Sequence, residues 1–359
     1  MRISENIMRL QMARVGGSQP TESRLQELAG FGSDPGRLRG FYYVPSTIAE
    51  PAALVVVLHG CTQTAAGYDH HAGWSTLADR LGFILLFPEQ RGSNNPNRCF
   101  NWFQSADTRR GQGEAASIHQ MIEQLCTDFP IDRGRIFCTG LSAGGAMTSV
   151  MLAAYPDVFA GGAIIAGLPY CGASSVSEAF GFMHGRVRLS ARALAENVRA
   201  ASHHAGSWPR ISVWHGTTDA TVTATNGDDT VKQWLMIHGL RASQAKAGEV
   251  NGYPYRVWRN KAGEPVVEQY MLTGIGHGTP LSPGTCEGQS GVAGPFMLDA
   301  GISSTDRIAS FFGLDKQIRG RTRRKRPTPL DAAEPRVAAQ RSGVQAVIEN
   351  ALRAAGLMR

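Results

Sequence analysis

No stretch of about eighteen consecutive apolar residues occurs in this chain of 359, which excludes a helical membrane span as its organising feature. Cysteine is sparse. Its six copies (Cys61, Cys99, Cys126, Cys138, Cys171, Cys286) form no CxxC pair and no zinc-ligand spacing, so neither a disulfide-built miniature fold nor a zinc module is expected. A secretory leader is also missing from the pattern: Met1-Arg-Ile-Ser-Glu-Asn-Ile-Met-Arg-Leu10 mixes charge into what would be the apolar core of such a segment. Ile3, Ile7 and Leu10 predict a short amphipathic helix there instead. The expected compartment is therefore the cytoplasm, with the cysteines mainly reduced. An even count leaves room for one disulfide, and secretion stays open. No internal repeat is present.

The formal charge of +7 raises the question of a nucleic-acid partner. Its distribution answers it. Residues 316–326 hold seven basic groups and no acidic one, and without them the chain carries 29 basic against 29 acidic residues. The body is electrically balanced, and no specific nucleic-acid binding is expected. The basic run reads as a solvated linker, with an anionic surface or granule as its candidate partner.

Short apolar, β-branched runs alternate with segments of helical period. Gly40–Val44, Leu54–Leu58, Leu81–Phe87, Arg135–Thr139, Gly162–Ile165, Ile211–Trp214 and Val266–Leu272 predict strands. Ala115, Ile118, Met121, Ile122 and Leu125 predict a helix between the third and fourth. Strands alternating with helices imply right-handed crossovers and an α/β, doubly wound, mostly parallel sheet. The expected organisation is a helical leader (1–35), a catalytic domain (36–315), a basic linker (316–342) and a C-terminal amphipathic helix (343–359). Val344, Val347, Ile348, Ala351, Leu352 and Ala355 supply that helix's apolar face.

The strongest chemical signal is Gly140-Leu-Ser-Ala-Gly-Gly145. It follows a predicted strand and opens a predicted helix, the setting that a G-x-S-x-G nucleophile elbow requires, and so predicts the α/β-hydrolase fold with Ser142 as nucleophile. A serine hydroxyl needs a base to take its proton. His277, in the glycine-rich Gly274-Ile-Gly-His-Gly278 after the last predicted strand, is preferred over His238, which falls on a helical stretch. Asp219 ends the strand and turn Ile211-Ser-Val-Trp-His-Gly-Thr-Thr-Asp219 and is the expected acid, ahead of Asp228 and Asp229, which read as helix N-terminal charges. The oxyanion donors are expected from the backbone N–H of Ala143 and from the turn His59-Gly-Cys-Thr-Gln63, through the N–H of Cys61. A nucleophilic Cys61 thiol is the rival use of that turn.

Together these segments resemble the esterase family of polyhydroxybutyrate depolymerases. The resemblance rests on Leu58-His-Gly-Cys-Thr-Gln63, Phe87-Pro-Glu-Gln90, Asn97-Arg-Cys-Phe-Asn-Trp-Phe103, Arg109-Arg-Gly-Gln-Gly-Glu114, Gly140-Leu-Ser-Ala-Gly-Gly-Ala146 and Gly167-Leu-Pro-Tyr170, with Trp214-His-Gly-Thr-Thr-Asp219 and Gly276-His277 downstream. It covers about residues 40–313. It implies a Ser142–Asp219–His277 triad, an oxyanion hole at Cys61 and Ala143, no metal or organic cofactor, and hydrolysis of carboxylic esters, poly(3-hydroxybutyrate) among them. Trp102 and Phe103 are candidate substrate-binding residues. Feruloyl or acetyl ester hydrolysis is the alternative within the family, and a granule-associated scaffold the alternative outside catalysis. One departure stands out: a run such as His-Ala-Trp-Ser is expected after the catalytic histidine, and here it is His277-Gly-Thr-Pro-Leu-Ser282.

Overall fold

The structure, a computed structural model, describes residues 23–170, 173, 175–315 and 324–325. The expected N-terminal helix, most of the basic run and the C-terminal helix lie outside the described residues. The first half of the chain runs β1 (Gln26–Leu28), β2 (Arg39–Tyr43), β3 (Thr47–Ile48), β4 (Ala52–Leu58), α1 (Ala65–Ala72), α2 (Trp74–Leu81), β5 (Ile84–Glu89), α3 (Ser105–Thr108), α4 (Gly113–Asp128), β6 (Ile131–Leu141) and α5 (Ala143–Ala154). The second half runs β7 (Gly161–Ile165), α6 (Val176–Met183), α7 (Ala191–Ala201), β8 (Arg210–Gly216), α8 (Thr225–Ile237), β9 (Lys246–Val250), β10 (Tyr253–Arg259), β11 (Pro265–Leu272), β12 (Thr279–Leu281), β13 (Met297–Asp299) and α9 (Ser304–Phe311).

Ten strands form one sheet in the order β1-β2-β5-β4-β6-β7-β8-β11-β10-β9. The six from β5 to β11 in that order are mutually parallel, and the strands at both edges are antiparallel. Alternation along β4 shows how both faces are covered. Leu54, Val56 and Leu58 pack in one core with Ile118, Met121 and Leu125 of α4 and Met147 and Val150 of α5. Ala53, Val55 and Val57 pack in the other with Tyr68 of α1, Trp74 and Leu77 of α2 and Ile308 of α9. A strand buried on both faces needs apolar residues at every position, which is why this run does not alternate in sequence.

Several boundaries differ from expectation, with β6 for one reaching back to Ile131. The strand predicted over Leu81–Phe87 starts at Ile84: Leu81 closes α2, and Gly82 caps that helix at φ 75°, a conformation glycine adopts without a Cβ penalty. The sheet also begins upstream of residue 36, because β1 pairs antiparallel with β2. The β9–β10 hairpin extends the other edge, and its exposed, charged β9 carries no apolar signal in sequence.

Chain order explains where a site must form. The crossover from β4 goes to β5 on one side, and the next strand, β6, lies on the other side of β4. In open α/β sheets such a reversal leaves a crevice at the carboxyl ends of the two diverging strands. Those ends are Leu58 and Leu141, directly before His59-Gly60-Cys61 and Ser142.

Candidate active site

Ser142 sits between β6 and α5 at φ 56° and ψ −117°, a region an L-residue occupies only when its surroundings impose it. The surroundings are backbone. A Cβ on Gly140 would stand 2.4 Å from the Gly144 carbonyl oxygen, and one on Gly144 would stand 2.3 Å from the Leu58 oxygen and 2.5 Å from the His59 oxygen. The elbow is packed directly against the end of β4, and the Ser142 N–H donates to the Ile165 carbonyl of β7 at 2.9 Å. Gly144→Ala is therefore expected to force α5 away from β4. We expect a loss of about 3 kcal/mol or more and a melting temperature lower by roughly 5 °C or more. A melt and activity matching the wild type would contradict this account of the elbow.

The structure brings Ser142, His277 and Asp219 together. The Ser142 hydroxyl is 2.8 Å from His277 Nε2, and His277 Nδ1–H donates to Asp219 Oδ2 at 2.7 Å. Asp219 Oδ1 accepts from the backbone N–H groups of Thr221 and Val222, each at 2.9 Å, so the turn after β8 clamps the carboxylate. Burial pushes that carboxyl up, but the imidazoles of His215 and His277 outweigh it and hold it well below the usual carboxylate range. It stays ionised, as stabilising an imidazolium requires. His215 is a member of the site that sequence reasoning misses: it is fully buried, with Nε2 3.5 Å from Asp219 Oδ2 and 2.8 Å from the Val222 carbonyl. The rivals are engaged elsewhere: His238 with the Pro209 carbonyl, Asp228 with Arg256, and Asp229 with Arg188 and Lys232.

The N–H groups of Cys61 and Ala143 donate to no group among the described residues. Both belong to the crevice: Cys61 lines the pocket at Ser142 with Gly60, Gln63, Leu141, His277 and Phe296, and Ala143 opens α5. Two free donors beside a serine hydroxyl can hold an oxyanion. The turn carrying Cys61 is braced from three sides. Gly60 N–H donates to Gln63 Oε1 at 2.8 Å, and His59 Nδ1–H donates to the Gly60 carbonyl at 2.7 Å. Thr62 N–H donates to the Asn97 carbonyl at 2.6 Å. Thr62 itself is held at φ 66° and Arg98 at φ 51°.

Beside those two strained residues, their chain neighbours Cys61 and Cys99 form a disulfide. This corrects two expectations. The cysteines are not mainly reduced at this pair, although Cys126, Cys138 and Cys286 are free. With the bond in place, Cys61 has no thiol to act as nucleophile. Disulfides persist in oxidising compartments, so the structure does not support the cytoplasmic expectation. Among the described residues no helix is long and apolar enough to cross a membrane.

Four motif segments that lie apart in sequence turn out to be one scaffold under this turn. His59 Nε2 accepts from the Gln90 N–H, and Gln90 Nε2 donates to the Cys99 carbonyl and to Glu114. Glu114 also accepts from the Asn101 backbone and side-chain N–H groups, each at 2.8 Å. Burial pushes the Glu114 carboxyl up to about 8 against these bonds, and likewise moves Glu268 to about 7 and Asp69 to about 6. Above about pH 6.5, where the histidines that burial keeps neutral no longer differ between the two states, the unfolded chain has released protons that folded Glu114 and Glu268 still hold, so stability falls as pH rises towards 8. Melting at about pH 8.5 is expected below melting at about pH 6.5, with a flatter slope in Glu114→Gln. A melting temperature rising across that interval would overturn the assignment.

Trp102 and Phe103 are not among the residues lining the pocket at Ser142. Their rings meet edge to face at 5.5 Å and pack on a cluster containing Ala146, Leu168, Phe182 and Val222. The aromatic residue lining the pocket is Phe296. The arc of charge at 316–326 is described only through the backbone of Arg324–Lys325, which pairs antiparallel with β3.

Residues 39–252 match the family model described as esterase PHB depolymerase. The chain is 45% identical over 291 residues to the poly(3-hydroxyalkanoate) depolymerase C of Paucimonas lemoignei, covering 81% of this chain and 70% of that one. It is 30% identical over 273 residues to a probable acetylxylan esterase A of Aspergillus fumigatus, covering 73% and 71%. Among solved structures, the acetyl xylan esterase from Aspergillus awamori superposes with a TM-score of 0.68 at 27% identity, over 81% of this chain and 99% of that one. The matched span contains Ser142 and Asp219 and ends before His277, where the sequence departs from the expected run. The fold is that of the α/β-hydrolases, the chain is a carboxylic ester hydrolase, and it belongs to the esterase PHB depolymerase family.

Proposed function

We propose that Ser142, His277 and Asp219 are the catalytic triad of a polyester depolymerase that works through an acyl-enzyme. The observation that carries this reading is the unbroken chain of bonds from Asp219 through His277 to Ser142, with two undonated amides beside the hydroxyl. His277 takes the Ser142 proton as Oγ attacks the ester carbonyl. The Cys61 and Ala143 N–H groups hold the oxyanion, and His277 then gives the proton to the leaving alkoxide. Water, activated by the same imidazole, releases the acid.

The substrate we favour is a poly(3-hydroxyalkanoate), because the depolymerase relative stands at 45% identity and the acetylxylan and feruloyl esterases at 30% and 29%. The Cys61–Cys99 bond supports an oxidising working environment. The test is hydrolysis of a p-nitrophenyl ester series and of amorphous poly(3-hydroxybutyrate) granules by wild type and Ser142→Ala. Ser142-dependent turnover of both supports the reading. Turnover of short esters alone moves the natural substrate to an acetyl or feruloyl ester. Residues 316–326 are proposed to attach the enzyme to an anionic granule surface, and unchanged granule binding after removal of 316–359 would reject that role.

A further inference from the structure

Phe296 occupies a backbone position that is ordinarily given to glycine. Gly294 and Met297 exchange backbone hydrogen bonds at 3.0 and 2.9 Å across the turn Gly294-Pro-Phe-Met297. Pro295 holds the second position of that turn, and Phe296, at the third, has φ 60°. A turn with proline second and positive φ third favours glycine or asparagine there, and a bulky L-residue is strained. Strain of this kind persists where the surrounding structure imposes it, and it clusters where it serves a use.

The use is visible in what the ring faces. Phe296 lines the pocket at Ser142, and its ring meets the His277 imidazole edge to face, with centroids 6.1 Å apart at 78°. The turn is also tied to the catalytic loop, since Thr279 N–H donates to the Phe296 carbonyl at 2.8 Å and β12 pairs with β13 from Thr279 and Met297 onward. Gly278 makes that approach possible. A Cβ there would stand 2.7 Å from the Phe296 oxygen and 2.8 Å from Leu298 Cγ. The glycine after His277, unexpected by family resemblance, is the space into which this second segment fits.

From this placement, and resting on the proposed roles of Ser142 and His277, we propose that Phe296 determines specificity for the alcohol half of the ester. The imidazole that protonates the leaving oxygen must lie against it, so the ring beside that imidazole walls whatever carbon skeleton the oxygen carries. In a poly(3-hydroxyalkanoate) that skeleton is a branched secondary alcohol. A shaped wall there sorts branched from unbranched leaving groups, while acyl length is read elsewhere.

The test measures kcat/KM for methyl, isopropyl and the two 2-butyl acetates, beside p-nitrophenyl acetate and octanoate, in wild type, Phe296→Gly and Phe296→Leu. Glycine suits φ 60°, so the first variant removes the ring and the strain together. Its branched-to-methyl ratio, or its ratio between the 2-butyl enantiomers, is expected to shift by roughly ten-fold or more, with leucine intermediate, while the octanoate-to-acetate ratio moves by less than about three-fold. Alcohol ratios unchanged within about two-fold, or a change confined to acyl length, would overturn the proposal. Phe296→Leu keeps an apolar side chain in place and carries the same comparison if the glycine variant melts early. Hydrolysis of these esters that survived in Ser142→Ala would instead reject the triad reading, a separate failure.

Discussion

Ser142→Ala lowers kcat on p-nitrophenyl acetate by about 10⁴-fold or more, with the melting temperature held within a few degrees of wild type. The size of the effect follows from how completely the site converges on one oxygen. His277 has its Nδ1–H committed to Asp219, so its Nε2 lone pair is aimed at the Ser142 hydroxyl, and the two free amides lie beside it. Without Oγ there is nothing to attack the carbonyl, and the proposed oxyanion hole and binding alone leave a residual acceleration over water. Little structural penalty is expected, because among the described residues the hydroxyl's bond is to His277 alone. The backbone strain at φ 56° is imposed by glycine contacts that alanine leaves in place. A variant that kept more than about a tenth of the wild-type kcat would remove Ser142 from the nucleophile's role.

Opening the Cys61–Cys99 bond, by Cys99→Ser or by reduction, lowers kcat by roughly 10²-fold while KM changes little. The amide of Cys61 is a proposed oxyanion donor, and the next residue, Thr62, is a β-branched residue held at φ 66°. Such a residue relaxes to negative φ when its restraints go. The Thr62-to-Asn97 backbone bond then remains as the bond that spans the same two loops. Losing the covalent bond also removes a loop constraint of 38 residues, worth about 3–4 kcal/mol in the chain-entropy account. The measurement therefore pairs kinetics with circular dichroism at a temperature where the reduced protein is still folded. A folded, reduced enzyme with kcat within about three-fold of wild type would show that the disulfide stabilises the fold and does not position the donor. Loss of transition-state binding without loss of substrate binding is the signature that separates the two.

Much of this site is legible in the amino-acid sequence. Ser142, Asp219 and His277 are readable because each follows a strand whose apolar run is unmistakable, and the sheet places all such strand ends on one edge. The Cys61 amide is readable for the same reason, as it follows β4. Harder to read are features that depend on partners far along the chain. Cys61 and Cys99 lie 38 residues apart, and each sits in its own motif with nothing local to join them. Glu114 has the look of a charge in the first turn of a helix, and only its contacts with Gln90 and Asn101 show it as the buried anchor of the turn above. Phe296 lies in a stretch of glycine, proline and alanine that carries no periodic signal.

Period and punctuation are what this chain settles residue by residue: apolar runs that must be buried, glycines where the chain turns, and the order of serine, acid and histidine. These are local quantities, set by each residue's own φ/ψ preferences and by its nearest neighbours. Closure of the fold settles the rest: which loop braces the Cys61 amide, which carboxyls are stripped of water, and which aromatic ring meets His277. Each of those depends on two segments meeting across the sheet edge. Their energies come from desolvation and close contact, which exist only once distant segments have packed together.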